Sequence, residues 1–291
     1  MPKQKGLIKF TGTLNGMCYY VLNGQYIVRK AAGPSKERIN NDPAFANVKS
    51  NNQEFAAASK LSKAIRQGLG NTAKEFKDTY MASRLTGACR KIIQKGSGSL
   101  GQREANLHNA PTALIGFQLN KHIPLHYIYN AKPKVTANSN RTIITISIPK
   151  SSKNHLKQIP KNATHYQLTA ALSIVSAYEW QPNTNTYTAV NPEQNAFGTT
   201  TQTQPILCKI PQTNQNDTQT NTSTENVTLS RACAERSRSI EVSLQLKLPN
   251  NTNIPGTAAI TVWLGITYLK EQNSTHTAYK TPKAMQCIAI I

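Results

Sequence analysis

The sequence predicts an α+β protein, with an N-terminal β-meander and a helical hairpin followed by an antiparallel β-sandwich-like domain. Two Asn-Gly pairs lie close together near the start of the chain. Two segments with helical periodicity follow before residue 100, and strands of alternating polarity dominate after residue 110. Separate helical and strand-rich regions are typical of α+β proteins, whereas α/β proteins alternate the two.

The two pairs, Asn15-Gly16 and Asn23-Gly24, predict two successive hairpins. Both residue types tolerate the positive φ that a type I′ turn requires. The flanking segments 7–14, 17–22 and 25–30 are rich in β-branched and aromatic residues, which favour strands. We therefore expect a three-stranded antiparallel meander within the first predicted domain, residues 1–34.

This meander carries more apolar side chains than so small a ribbon can bury on its own. Isolated ribbons of this size are stable in water only when one face is covered. We therefore predict that the meander is an assembly element. Its candidate assembly contacts are Tyr19, Val21, Ile27 and Val28.

Residues 35–100 are predicted to form the helical hairpin. Asp42 followed by Pro43 is a typical helix start, because Asp is a favoured N-cap and Pro is favoured at the first helical position. The first helix is predicted to end at Gly68. Residues 72–75 form a capping box and predict a second helix that runs to about residue 95. The apolar face of the first helix would contain Val48, Phe55, Ala58, Ile65 and Leu69.

Three lysines, Lys49, Lys60 and Lys63, lie within a narrow arc on the other side of the first helix. Such an arc has two interpretations. It is either a solvated helix face or an edge that contacts the phosphates of a polyanion. Spacing alone leaves both open.

The third predicted domain covers residues 111–291. It is preceded by "KGSGSLGQ", residues 95–102, whose composition predicts a flexible linker. Residues 143–148 and 258–269 alternate apolar and polar side chains, which predicts strands that bury one face, as in a sandwich or barrel. A segment at about 191–238 is rich in Asn, Gln and Thr and is predicted to be a long polar loop, or strands with polar faces on both sides.

The chain is strongly basic, with 34 Lys and Arg against 13 Asp and Glu and a formal charge of +21. This balance favours contact with nucleic acid or another polyanion. High charge also keeps a protein soluble without any such partner, so the alternative that the charge serves solubility alone stays open. The sequence contains no long run of Lys and Arg, so it does not predict a basic tail.

The five cysteines are widely separated and lack metal-ligand spacing, which indicates thiols in a reducing compartment. If the protein works in an oxidising compartment, Cys208 and Cys287 are a candidate disulfide pair. The first ten residues lack the apolar core of a signal peptide, and no segment is long and apolar enough for a membrane span. We expect cytoplasmic synthesis without a signal peptide, and an extracellular or virion-like assembly only after release.

The sequence predicts no catalytic residue, no cofactor site and no metal site. Its acidic residues are scattered, and the motifs for phosphate-binding loops, activated serines and zinc proteases are missing. His122 and His126 have a metal-ligand spacing for a helix, but Pro124 between them argues against helical geometry. We therefore predict that the protein is not an enzyme.

Four segments of the N-terminal third carry a resemblance to a known family: "GLIKFTGTLNGMCYY", "NGQYIVRKAAG", "ERINNDPAFANVKSNNQEFAAASKLSKAIR" and "ASRLT". This part of the chain resembles a family of basic bacterial proteins of unknown function. Its members share a Gly-rich hairpin followed by an Asn-Asp-Pro-Ala-Phe helix start. The resemblance implies the N-terminal layout. It implies no activity, cofactor or site residue.

Two functions compete at this stage. The first is a structural, self-assembling subunit of a filament, tube or shell, whose partner is another copy of the chain. Its support is the apolar meander and the lack of catalytic motifs. The second is nonspecific nucleic-acid binding or packaging, which the charge favours. Against the second, the aromatic residues are not interleaved with Lys and Arg as in stacking surfaces.

Overall fold

The computed structural model describes residues 2–31, 33–148, 155–208, 242–247, 253–272 and 275–291. The chain forms two compact units, Met1–Asn51 (unit 1) and Asn52–Ile291 (unit 2). Unit 1 contains an antiparallel three-stranded sheet, and unit 2 contains helices and several antiparallel sheets. The predicted α+β class is therefore confirmed.

Unit 1 begins with the predicted meander. Its strands are β1 (Gly12–Leu14), β2 (Met17–Leu22) and β3 (Gln25–Lys30), which pair in that order. Positive φ angles at Asn15 (47°), Gly16 (73°), Asn23 (50°) and Gly24 (75°) place both turns in the conformation that the Asn-Gly pairs predict. The first strand is shorter than predicted, because residues 7–11 are not part of the sheet. Helix α1 (Lys36–Asn41) follows the meander.

The first predicted helix breaks close to its predicted end, because Gly70 has a non-helical conformation with φ 54° and ψ −127°. A short helical segment follows, and the two parts together form α2 (Ala46–Phe76). The second predicted helix is interrupted after Phe76, and α3 (Met81–Ile93) forms its remainder. Thr72 does not cap a helix. Its hydroxyl lies 3.0 Å from the hydroxyl of Thr200 on the neighbouring sheet. This tertiary contact competes with the local capping signal.

The buried face of α2 is rotated from the predicted one. Ala58, Ile65 and Leu69 are buried as predicted, but Val48 and Phe55 are exposed. The buried set instead includes Ala57, Leu61 and Ala64. Small side chains therefore form the contact surface, which allows the helix to approach its neighbours closely.

The rest of unit 2 is mostly strands. Its elements are α4 (Leu125–Ile128), β4 (Lys134–Ala137), β5 (Ile143–Ile148), β6 (His165–Ser176), β7 (Tyr178–Gln181), β8 (Thr186–Ala189), β9 (Gly198–Gln202), β10 (Ile206–Leu207), β11 (Val242–Lys247), β12 (Ala258–Gln272) and β13 (Thr275–Ile290). A five-stranded sheet has the order β10-β6-β12-β13, with β9 also paired to β6. A three-stranded sheet has the order β11-β5-β4, and β7 pairs with β8.

Two hydrophobic clusters arrange unit 2 in three layers. One cluster lies between the two sheets and contains Ile144, Ile146 and Leu244 of the small sheet with Leu172 and Val262 of the large one. The other lies on the opposite face of the large sheet, where Trp263 and Met285 pack with residues of α2 and α3. The sandwich is therefore covered by helices on one side.

This helical layer changes two predictions. Strand β12 was expected to bury one face, but Thr261, Trp263 and Thr267 on its second face are also buried. Its neighbours β6 and β13 occupy both of its edges. The unit boundary lies at residue 51 rather than at the predicted borders 34 and 100, because the helices after residue 51 share a cluster with the sheet.

In the described part of the segment predicted as a polar loop or polar strands, about 191–238, the strand alternative is the correct one. Residues 192–194 form a 3-10 turn, and β9 and β10 follow within the described part of the segment. Both strands pair with β6, so tertiary pairing overrides the polar composition. Residues 209–238 of the predicted loop lie outside the described residues.

The candidate disulfide between Cys208 and Cys287 does not form. Cys208 packs against the cluster between the sheets, whereas Cys287 belongs to the cluster under the helices. The large sheet separates them. Burial raises the pKa of the Cys287 thiol. Among the helices of the described part of the chain, none has the length and hydropathy needed to cross a bilayer.

Candidate functional site

The candidate assembly contacts of the meander lie on two different faces. In the β2–β3 register, Tyr19 lies opposite Val28, and Val21 lies opposite Tyr26. Residues directly opposite in an antiparallel pair share a face, so these four side chains form one surface. Ile27 lies opposite Tyr20 on the other face and is buried within the chain. The prediction that Ile27 is an assembly contact is therefore wrong.

The first residues of the chain pair with β3 on either side of Ile27. The Val28 N–H donates to the Pro2 carbonyl at 3.1 Å, and the Gln4 N–H donates to the Tyr26 carbonyl at 2.9 Å. The Gln4 side-chain nitrogen donates to the Ile27 carbonyl at 3.2 Å. Residues 2–4 thus occupy the edge of β3, a pairing that no local pattern predicts.

Gln4 also holds the segment that leads into β1. Its side-chain oxygen accepts from the Phe10 N–H at 2.9 Å, and its side-chain nitrogen lies 3.1 Å from the Phe10 carbonyl. The Phe10 ring meets the Tyr19 ring edge-to-face, with centroids 5.8 Å apart. Residues 5–9 therefore bulge between two fixed points, Gln4 and Phe10.

Unit 1 exposes many of its large apolar side chains. Among its described residues, 2–31 and 33–51, Ile27 is the one apolar residue that is buried. Leu7 is fully exposed, and Ile8 is 72% exposed. We name the exposed large apolar residues of the meander and its leading segment the N-terminal apolar set: Leu7, Ile8, Phe10, Leu14, Val21, Leu22 and Tyr26. Of this set, the predicted contacts included Val21 alone. Leu7, Ile8, Phe10 and Leu14 were predicted to lie in a paired strand, and Leu22 and Tyr26 were not named as contacts.

The three candidate polyanion contacts lie in different surroundings. Lys49 belongs to unit 1, is exposed, and donates to the Asn40 carbonyl at 3.4 Å. Lys60 belongs to unit 2 and is half-buried, with its ammonium hydrogen-bonded to the Tyr187 carbonyl. Lys63 is exposed. Lys60 therefore has a structural partner. Of the two lysines in unit 2, Lys63 is the exposed one.

The predicted flexible linker at residues 95–102 is anchored by a buried carboxylate. Glu54 of α2 is 1% exposed and accepts from the Gly101 N–H at 3.1 Å. Arg103 lies 3.3 Å from the same oxygen. The Tyr187 hydroxyl lies 3.0 Å from the carbonyls of Gly101 and Arg103, and burial raises the pKa of Tyr187 to about 12. This cluster ties the connection to the fold, so the linker prediction is wrong at its C-terminal end.

A second group of polar residues escaped the sequence analysis. His165, Glu271 and His276 bring one ligand atom each to within 4.8 Å of one another. The sequence pattern considered for metal ligands was a pair of histidines at helical spacing, which His122 and His126 provide. The usable signal was Glu271 and His276 on the two arms of a hairpin, but His165 is distant in sequence and no local spacing predicts it.

Comparisons of the chain with protein-family models, with curated proteins and with solved structures found no match. The resemblance of the N-terminal third to a bacterial family therefore stays a prediction.

Proposed function

We propose that the protein is a structural subunit that assembles with other copies of itself through unit 1, into a filament, tube or shell. The observation that carries this proposal is the imbalance in unit 1. Its described residues bury Ile27 alone among apolar residues, while the N-terminal apolar set stays exposed. A folded unit of this composition gains stability when a partner covers these residues.

Covering the N-terminal apolar set would contribute free energy that unit 1 lacks on its own. Burying a large apolar side chain contributes about 1.5–3 kcal/mol relative to leaving it in water. Domains below about 70 residues seldom bury enough of them to be stable without additional support. Unit 1 has 51 residues. Covering even part of the N-terminal apolar set therefore stabilises the meander substantially.

A second copy of the chain is the partner that unit 1 fits best. Strand β1 lies at an edge of its sheet, and an edge can accept an extended segment from a neighbour. Residues 7–10, which precede β1 in the chain, carry three exposed apolar side chains. Each copy thus supplies both an edge and a protruding apolar segment, which could pair with that edge after straightening. Head-to-tail exchange of such elements gives closed rings or open filaments.

One edge of the large sheet in unit 2 is partly covered. Residues 116–119 lie along the outer edge of β13, where the Gly116 N–H donates to the Cys287 carbonyl at 2.8 Å and the Leu119 N–H donates to the Met285 carbonyl at 3.0 Å. Covered edges prevent sheets from pairing with other chains, so this part of β13 does not compete with the β1 edge as an assembly element.

The proposal is tested with nuclease-treated full-length protein by sedimentation velocity and negative-stain microscopy. The variant Leu7→Gln/Ile8→Gln/Val21→Gln removes apolar character without changing charge. The matched control Leu100→Gln/Tyr127→Gln alters two exposed apolar residues of unit 2. Wild type and control should assemble, and the triple variant should sediment as a monomer. A wild type that stays monomeric at every concentration, or a triple variant that assembles normally, overturns the proposal.

Nucleic-acid binding is a second candidate, and one observation in unit 1 favours it. Phe10 and Tyr26 are exposed in the same unit as the exposed lysines Lys3, Lys5 and Lys9. Aromatic rings among basic residues are typical of surfaces that bind single strands. A Lys3→Gln/Lys5→Gln/Lys9→Gln variant should then lose affinity for a fluorescent oligonucleotide. Equal affinity in wild type and variant would remove this candidate.

A further inference from the structure

We propose that His165, Glu271 and His276 form a binding site for a divalent transition-metal ion, with Zn²⁺ as the best match. The three residues come from three adjacent strands of the five-stranded sheet: β6, β12 and β13. The site is independent of the proposed assembly through unit 1. Three observations support the site: the register of the strands, the distances between the ligand atoms and the chemical type of the ligands.

The register brings the three side chains to one face of the sheet. Glu271 lies directly opposite His276 in the β12–β13 pair, and His165 lies opposite Leu269 in the β6–β12 pair. Glu271 follows Leu269 by two residues, so both point to the same side of β12. Directly opposite and diagonal neighbours on one face are within side-chain reach. The arrangement is therefore a consequence of strand pairing and is held by the sheet.

The present distances are close to those of a metal site. The ligand atoms lie within 4.8 Å of one another, the His165 Nδ1 lies 3.7 Å from a Glu271 carboxylate oxygen, and the two imidazole rings have centroids 4.6 Å apart. Ligand bonds of about 2.0–2.1 Å in a tetrahedral zinc site require ligand atoms roughly 3.3 Å apart. Small rotations of the exposed Glu271 and His276 side chains can supply this contraction.

His165 is the fixed member of the group. Its side chain is 12% exposed, and its Nδ1 lies 2.9 Å from the Thr164 hydroxyl. The same hydroxyl accepts from the Glu271 N–H at 2.9 Å. Without metal, Thr164 thus ties the ring to the strand that carries the carboxylate. One ring nitrogen cannot bind a metal and a hydroxyl together, so an ion would either replace the Thr164 hydroxyl at Nδ1 or bind Nε2 and leave this hydrogen bond as the orienting contact.

Two imidazole nitrogens and one carboxylate oxygen suit Zn²⁺, whereas Mg²⁺ and Ca²⁺ prefer oxygen ligands. A site with three protein ligands keeps a coordination position open for water or another ligand. Because the ligands come from three strands, a bound ion would also cross-link the end of the sheet. We therefore expect metal binding to raise thermal stability.

The test uses full-length protein freed of metal by chelator dialysis. Zn²⁺ is titrated by calorimetry, and Co²⁺ is used to record a ligand-field spectrum that reports nitrogen and oxygen ligands. We expect saturable binding by wild type and a loss of affinity of at least about tenfold in His165→Ala, Glu271→Gln and His276→Ala. Zn²⁺ should raise the melting temperature of wild type and have a much smaller effect on these variants.

The matched control is His126→Ala, because His126 contacts the Tyr127 ring and is not part of the group. Its affinity and its zinc-dependent melting should equal those of wild type. Melting of every variant without metal shows whether the fold is retained, and the exposed positions Glu271 and His276 keep the test valid if His165→Ala unfolds. The proposal is overturned if wild type shows no saturable binding, or if Glu271→Gln and His276→Ala bind as wild type does.

Discussion

A Cβ atom on Gly198 would lie 2.1 Å from the carbonyl oxygen of Gly68. Helix α2 and strand β9 therefore meet backbone to backbone at this point. The Ser173 hydroxyl donates to the Ala64 carbonyl at 3.3 Å beside the same contact. No side chain larger than hydrogen fits at either glycine without moving the helix away from the sheet.

Gly198→Ala should therefore destabilise the protein. Inserting one methyl group into a packed interior costs about 1–3 kcal/mol when side chains can adjust, and here the obstacle is backbone. We expect a loss at the upper end of that range or above it. Urea unfolding, followed by the fluorescence of the buried Trp263, measures the change.

The matched control for this prediction is Gly87→Ala in α3. A Cβ atom at Gly87 meets nothing within 4 Å. Ala is favoured over Gly within helices by about 0.8–1 kcal/mol, so this variant should gain stability. Equal effects of the two substitutions would contradict the close contact between α2 and β9.

Asp78→Asn should weaken the connection between α3 and the segment that covers β13. The carboxylate of Asp78 accepts from the N–H groups of Lys121 and Tyr80, each at 2.9 Å, and lies 2.6 Å from the Arg84 guanidinium. Hydrogen bonds to charged groups contribute about 1.5–3 kcal/mol each. We expect a loss of about 2–3 kcal/mol in the free energy of unfolding at pH 7.

The cost of Asp78→Asn should depend on pH. Burial acts to raise the pKa of Asp78, but the Lys121 N–H and the Arg84 guanidinium outweigh it and hold the pKa below its ordinary value of 3.8. A depressed pKa contributes stability that is present above the ordinary value and is lost as pH falls through the folded value. The difference from wild type should therefore be constant between about pH 5 and 7 and shrink below pH 4.

Glu75→Gln is the control for the pH series. Glu75 is 45% exposed at its side chain and lies 3.9 Å from the Lys283 ammonium. Exposed ion pairs contribute about 0–1 kcal/mol, so this variant should unfold almost as wild type does at every pH. A cost for Asp78→Asn that does not change between pH 3 and 7 would contradict the depressed pKa.

Deletion of residues 1–34 should abolish assembly and leave unit 2 folded. The deletion removes the whole N-terminal apolar set, and the described core of unit 2 contains none of the deleted residues. Light scattering measures the assembly, and circular dichroism with thermal melting measures the fold. Normal assembly by the shortened chain would show that the contacts lie in unit 2.

Salt should promote the assembly of nuclease-treated protein. Unit 1 carries eight Lys and Arg and two acidic residues, so copies that meet through unit 1 repel one another. Added salt screens this repulsion, with a screening length that falls from about 30 Å at 0.01 M to about 10 Å at 0.1 M. If nucleic acid bridges the copies instead, salt should dissolve the assembly. Binding then releases counterions from the nucleic acid, and added salt makes that release less favourable. A light-scattering series from low to high salt, with and without nuclease, separates the two.

Short-range structure was predictable wherever a few adjacent residues decide it. The Asn15-Gly16 and Asn23-Gly24 turns need only the positive φ that these residues tolerate, and both form as predicted. The alternation of Ile144, Ile146 and Ile148 also gave the buried face of β5 correctly. In these cases the preference is encoded within four to six residues and tertiary packing agrees with it.

The tertiary structure decided what lies on the second face of each element. Trp263 and Thr261 looked like the solvent side of a one-faced strand, but α2 and α3 cover them. The pairing of residues 2–4 with β3, and the meeting of His165 with Glu271 and His276, depend on strand register across the fold. Sequence periodicity reports which residues share a face, whereas the partner of that face is set by packing between residues far apart in the chain.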